Sequence, residues 1–230
     1  MIQKENEMAN IDFNKKHLSP HRRKMIKTFV DCTRNIIKED GVRGVTIKKI
    51  SDTTELNTAT IYNYFENIDH LMYFAVMDAM DDYLADLSNY VKEGDDPLFV
   101  YKQVWVCFAK NAFKKPYEYL EIFFSDIAHE KDYYLHQYYK AFPIENDGFP
   151  AYLDKVLTAP NLRERTMVLS EVCLNVGYFN EDGAEKANWM LYYIFEGMLR
   201  RVQKKDLDAD QAAKEFAGYV EIVVERLRLK

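Results

Sequence analysis

The sequence predicts an all-α protein in two parts: a small N-terminal three-helix domain with a helix-turn-helix, and a larger helical domain joined to it by one long helix. Three observations carry this. Residues 41–71 place capping side chains and apolar positions at helical spacing, so that two short helices and a tight turn run straight into a third helix. Beyond residue 71, apolar residues recur every three or four positions, and no alternating strand pattern interrupts them. The basic charge is also divided: residues 15–49 hold eleven Lys and Arg against three Asp and Glu, whereas residues from 71 onward hold nineteen against twenty-seven.

Taken in order, residues 1–18 show no period and mixed charge, and read as a flexible arm whose Lys15 and Lys16 could brush DNA. Ser19-Pro20 opens a helix, since proline fits the first helical position. Ile26, Phe29, Val30, Ile36 and Ile37 give that helix one buried face, and Asp40-Gly41 ends it. Thr46 and Asn57 each stand where an N-cap belongs. Between them lie a two-turn helix and a turn at Glu55-Leu56, with Ile47, Ile50, Leu56, Ile61 and Phe65 facing one small core. The second short helix presents Thr58, Ala59, Thr60, Tyr62 and Asn63 outward, as the recognition helix of a helix-turn-helix does in a DNA major groove. Asn67 then caps a long helix whose stripe Leu71, Phe74, Ala75, Leu84, Leu87 and Val91 runs to Glu93-Gly94. With no Gly, Ser or Pro linker after it, the domains divide as 1–18, 19–66 and 67–230.

In the larger domain Asp96-Pro97 starts a helix to Lys115-Pro116, Pro116 starts the next, to about His129, and a third spans roughly residues 131–142. Residues 143–160, with three prolines and Gly148, form a loop holding at most a short helix near 152–157. Asn161 caps a helix to about Phe179, and Asp182-x-x-Glu185 and Asp208-x-x-Gln211 open the last two. Each of these two carries a broad apolar face. One has Ala187, Met190, Leu191, Ile194, Phe195, Met198, Leu199 and Val202, and the other Ala213, Phe216, Ala217, Val220, Val223, Val224 and Leu227. Two such hairpins suit a four-helix dimer bundle.

Function classes narrow from composition. The chain is 48% apolar and 14% aromatic, a globular composition. No run approaches the ~18 apolar residues of a membrane span, and the polar start is no signal peptide, so a cytoplasmic protein is expected. Cys32, Cys107 and Cys173 lie far apart within apolar helical patterns and read as buried, reduced thiols. No Ser-His-Asp set, phosphate loop, Cys-x-x-Cys or His-Glu-x-x-His element is present, and neither an enzyme mechanism nor a cofactor is called for. His129 and His136, with Asp126 and Asp132 nearby, lack a second ligand pair and make no metal site. Aromatic residues concentrate in the middle helices, from Trp105 to Phe142. A cavity lined by rings and hydroxyls suits an amphipathic small molecule, of the usual ligand-site size of ~300 Å³ or more. Glu171 and Asn175, one turn apart, are candidates for its polar fixtures.

The run T-x-x-x-I-S…L-N-x-A-T-I-Y-N-Y-F-x-N-x-x-x-L over residues 46–71 resembles the signature of the tetracycline-repressor (TetR) family, and the likeness covers roughly residues 20–72. Glu55 stands where the family usually has a turn glycine, Ser51 replaces a habitual alanine without expected consequence, and Ile68 replaces a lysine that in many relatives touches a phosphate. The resemblance implies a dimeric, ligand-responsive regulator, a repressor released from a palindromic double-stranded operator by a hydrophobic or aromatic effector. By it Lys48 reaches a base edge, beside Lys49. Thr58, Thr60 and Asn63 read bases on the face that also presents Ala59 to DNA, while Tyr62, Tyr64, Thr46 and the helix starts at Asn57 and Asn67 meet phosphates. The implied effector-lining set is Trp105, Phe108, Phe124, Tyr134, Tyr138, Glu171, Asn175 and Tyr193, and the implied dimer face is the C-terminal helix pair. The competing reading is a helical small-molecule-binding or enzyme domain whose basic bundle contacts protein.

Overall fold

The computed structural model describes residues 18–124, 131–144, 148–159 and 161–229. Among these, eleven α-helices and one 3-10 turn form, with no strand. No described helix is long and apolar enough to cross a membrane. The residues pack as two compact units, one running to Val76 and including His136–Pro143, the other made of Met77–Leu135 and Ile144 onward. The arm expected over 1–18 lies outside the described residues, apart from Leu18, which is buried.

In the first unit, α1 (Pro20–Asp40) is capped by Ser19, whose Oγ accepts the Arg22 N–H at 3.2 Å. Gly41 ends it at φ 73°, a left-handed position that costs glycine little. After the 3-10 turn (Val42–Gly44), α2 (Ile47–Thr54) starts at Thr46, whose Oγ1 accepts the Lys49 N–H at 3.1 Å. α3 (Thr58–Tyr62) starts at Asn57, whose Oδ1 accepts the Ala59 N–H at 2.8 Å. α4 (Ile68–Leu87) starts at Asn67, which accepts the His70 N–H at 2.7 Å. Ile26, Phe29, Ile50, Ile61, Phe65 and Phe74 are buried together with His70. Phe65 sits edge-on to Phe29, His70 and Phe74 at 6.2, 5.4 and 5.5 Å. The C-terminal part of α7 (Lys131–Ala141) adds Tyr138, whose ring lies 5.3 Å from Phe74.

The turn between α2 and α3 is left-handed at Glu55, φ 56° and ψ 23°. The Ser51 hydroxyl donates to the Leu56 carbonyl at 2.6 Å, and the Thr54 hydroxyl to the Ile50 carbonyl at 2.7 Å. Ser51 is therefore not a neutral replacement for alanine, because it ties α2 to the first residue after the turn.

In the second unit, α4 continues from Met77 and is followed by α5 (Pro97–Lys114), α6 (Pro116–Phe124), α8 (Leu153–Thr158), α9 (Leu162–Asn175), α10 (Glu181–Gln203) and α11 (Ala209–Leu227). Asp96, Asn161 and Asp208 are N-caps as the spacing predicts. α5 packs against α9, α10 and α11, with a ring cluster joining it to the last two. Within it Phe108 meets Phe195 at 5.2 Å, and Trp105 and Phe195 meet Phe216 at 5.7 and 5.8 Å. Cys32, Cys107 and Cys173 are free and buried, and burial pushes the Cys107 and Cys173 thiols up to about 12.

Three helix ends differ from expectation. α4 stops at Leu87 rather than at Gly94; the Ser88 hydroxyl donates to the Ala85 carbonyl and the Asn89 amide to Asp86, drawing the backbone into a turn. α9 stops at Asn175 because Gly177, at φ 84°, allows a closing motif in which its own N–H bonds the Leu174 carbonyl and the Tyr178 N–H the Cys173 carbonyl. α10 begins at Glu181, since Asn180 and not Asp182 is the cap, accepting the Gly183 N–H at 2.7 Å. Any Cβ at Gly183 would sit 2.9 Å from the Leu227 carbonyl, so only glycine lets the start of α10 meet the end of α11. The expected extension of α6 to His129 falls outside the described residues.

Two outcomes follow. Glu55→Gly should relieve the left-handed backbone and raise stability by about 0.5–1 kcal/mol, read as a higher thermal midpoint. Burial lowers the His70 imidazole to about 4, against ~6.5 in an unfolded chain. The unfolded state therefore takes up the proton first. Stability is fully present above pH 6.5 and falls as pH drops towards 4, by up to about 1.4 kcal/mol per pH unit. Melts from pH 7 to 4.5 should show that slope, reduced in His70→Leu.

Candidate functional site

The outward face of α3 consists of Thr58, Ala59, Tyr62 and Asn63, all exposed, with Tyr62 at 49%. Thr60, beside the buried Ile61, is half-buried, at the margin of that face. Lys48 is exposed on α2, whereas Lys49 is paired through Nζ with the Asp40 carboxylate at the end of α1. The side-chain oxygens of Thr46, Asn57 and Asn67 accept the N–H groups that cap α2, α3 and α4, and so orient these helices. α1 exposes Arg23, Lys24 and Lys27.

Arg22 is the residue that sequence reading passed over. Its Nη2 donates to the Asn63 carbonyl at 3.1 Å, across forty-one residues of chain, and its guanidinium lies 5.3 Å from the Tyr64 ring centroid. Tyr64 is half-buried, 5.8 Å from Phe29, and so is sandwiched between the α1 core residue and Arg22. Nothing in the spacing of a basic helix distinguishes Arg22 from its neighbours; only the fold brings it to the end of α3.

The aromatic interior of the second unit is closely filled. Tyr83, Trp105, Phe108, Val156, Leu157 and Arg165 are among the residues that enclose a cavity of about 20 Å³. That is room for about one water, well short of the ligand-sized space expected. The rings that were to line it meet one another instead. Of the eight expected lining residues, Trp105 and Phe108 line this cavity. Phe124 is half-buried against Tyr192 and Phe195, at 5.5 and 6.2 Å. Tyr134 is buried away from the cavity, and Tyr138 belongs to the first unit. Glu171 and Asn175 are exposed on α9, and Tyr193 is 61% exposed and stacked on Trp189 at 5.2 Å.

The C-terminal helices leave one face uncovered. Met190 and Tyr193 on α10, and Tyr219 and Ile222 on α11, are 46%, 61%, 40% and 66% exposed. Gly197 and Gly218 lie on the same exposed sides, and a Cβ on either would meet nothing within 4 Å. Leu191, expected at an interface, is instead fully buried within the unit. Among the described residues no group of three or more His, Cys, Asp or Glu could hold a metal ion. His129 and Asp126, and the side chain of Asp132, lie outside the described set, and His136 is exposed.

No protein-family model matches the chain, and no curated protein matches it in sequence. Solved structures do match in fold. A protein of unknown function from Rhodococcus sp. RHA1 superposes with a TM-score of 0.60 at 10% identity, over 89% of this chain and 96% of that one. Thermus thermophilus FadR, a TetR-family transcriptional repressor solved with lauroyl-CoA, gives 0.55 at 11% identity, over 89% and 96%. A TetR transcription regulator from Haloarcula marismortui gives 0.53 at 16% identity, over 90% and 99%. The chain has the fold of the TetR-family transcriptional regulators, N-terminal helix-turn-helix and helical C-terminal domain included.

Proposed function

We propose that the protein is a cytoplasmic, dimeric DNA-binding transcriptional regulator, a repressor whose hold on a palindromic operator is lowered by a small apolar effector. The observation that carries the DNA-binding part is the exposed α3 face: Thr58, Ala59, Tyr62 and Asn63 stand clear of the core on a helix that the Asn57 cap and Arg22 hold in place. Hydroxyl and amide groups can read base edges in the major groove, and the exposed Arg23, Lys24, Lys27 and Lys48 supply phosphate attraction. Likeness to structures described as transcription regulators supports the same reading.

The dimer is supported by the uncovered α10–α11 face, where exposed apolar side chains flank two glycines that would admit a second backbone closely. In such a dimer the two α3 helices would enter successive major grooves roughly 34–36 Å apart, or a multiple of that turn. Effector response is supported by α4, one continuous helix that contributes Ile68–Val76 to the first unit and Met77–Leu87 to the second. A ligand that favours one placement of that helix biases both units. A coupling of ~1–3 kcal/mol would lower operator affinity roughly 5–150-fold.

Affinity measured against salt should give a steep negative log–log slope. Selection from genomic fragments should return a near-palindrome, and its absence would sink the regulator reading. Asn63→Ala or Thr58→Ala should alter preference at one position per half-site, at ~1–3 kcal/mol per lost base contact. Arg22→Met should instead weaken binding to all sequences alike. Ile222→Glu should yield folded monomers in sedimentation equilibrium, and a wild-type monomer at micromolar concentration would refute the dimer.

A further inference from the structure

Arg165 is a charged residue in an apolar place. It lies on α9, only 3% exposed, and lines the small cavity beneath α8. Its Nε donates to the Ala159 carbonyl at 2.9 Å, and its guanidinium carbon stands 5.1 Å from the Phe123 ring centroid. Its Nη2 is buried with no hydrogen-bond partner, and no carboxylate among the described residues pairs with it. A buried cation without a counter-charge loses its hydration and recovers only what one carbonyl and one ring return. A stem of three methylenes in the same place would pack without that loss.

We propose that Arg165 is the anchor of an effector site for an apolar monocarboxylate, with the carboxylate on the guanidinium and the hydrocarbon in the space now closed by Val156 and Leu157. The proposal rests on the effector part of the regulator reading and names the polar end of that effector. A guanidinium offers a planar, two-pronged donor that matches a carboxylate, and the rest of the cavity wall, with Trp105, Phe108 and Leu169, suits an alkyl or aryl body. The element that must yield is α8, six residues long and preceded by Gly148 at φ 89°. A helix this short contributes little cooperativity of its own and moves at small cost. The same geometry excludes cationic amphiphiles, whose charged end would meet a buried cation of the same sign.

The test uses the full chain without DNA first, with decanoate, decanol and decyltrimethylammonium below their micellar range as probes. Decanoate should raise the thermal midpoint by roughly 5–10 °C at a hundredfold excess over its dissociation constant, whereas decanol should raise it by under a third as much and the cation not at all. Arg165→Gln, checked for native helicity by circular dichroism, should respond to acid and alcohol alike. If that variant does not fold, Arg165→Lys should keep the charge but weaken decanoate binding at least tenfold by losing the second prong. Equal shifts with acid and alcohol, no shift with either, or an undiminished acid preference in Arg165→Gln would overturn the proposal. DNA binding is then measured separately. A salt-dependent complex indifferent to decanoate sinks this inference and spares the regulator reading, while decanoate binding without any DNA complex does the reverse.

Discussion

A helix of five residues cannot hold its own shape in water, and the putting in place of α3 is the constraint on which the helix-turn-helix unit depends. Its first turn is closed by Asn57, its middle is pinned by the fully buried Ile61, and its end is held through the Asn63 carbonyl by Arg22. The left-handed residue Glu55 sets the angle at which it leaves α2, and the Ser51–Leu56 bond keeps that angle. Each is a local device. Together they leave Thr58, Ala59, Tyr62 and Asn63 exposed on one side, with the Thr58 hydroxyl donating to Asn57 Oδ1 at 3.4 Å.

Local devices are also what a sequence displays most openly. Ser19, Thr46, Asn57, Asn67, Asp96, Asn161 and Asp208 are legible as caps because each bonds an amide two or three residues ahead. Where two capping residues stand close together, as Asn180 and Asp182 do, spacing alone does not choose. The choice is made by the close approach of Gly183 to the end of α11, which lies forty-four residues on. The end of α9 was open to misreading for a related reason: the apolar pattern runs on through Tyr178 and Phe179, and only the positive φ of Gly177 breaks it.

Site residues divide along the same line. The exposed face of α3 is legible because a short amphipathic helix has only one side to offer, with Thr60, half-buried, at the margin of that face. The effector-lining set was much less legible. An aromatic residue at helical spacing looks the same whether it fills a core or walls a cavity, and in this fold most of the expected rings fill the core. Glu171 and Asn175 drew attention as polar groups on an apolar helix, yet they face solvent, while the polar group that does go inside is Arg165 on the same helix. Charged residues are read as surface by default, so a buried arginine is invisible until coordinates exist.

Gly197 and Gly218 carry a consequence for how the protein behaves as its amount changes. Each sits inside an exposed helix, where glycine is less favourable than alanine by about 1 kcal/mol. A lone protomer is thus weaker than its own backbone would allow, and in the proposed pairing only the approach of another chain offsets that weakness. Stability then depends in part on concentration. In that pairing, dilution below the dissociation constant of the two chains would expose each protomer to the glycine deficit, so thermal stability would rise with protein concentration.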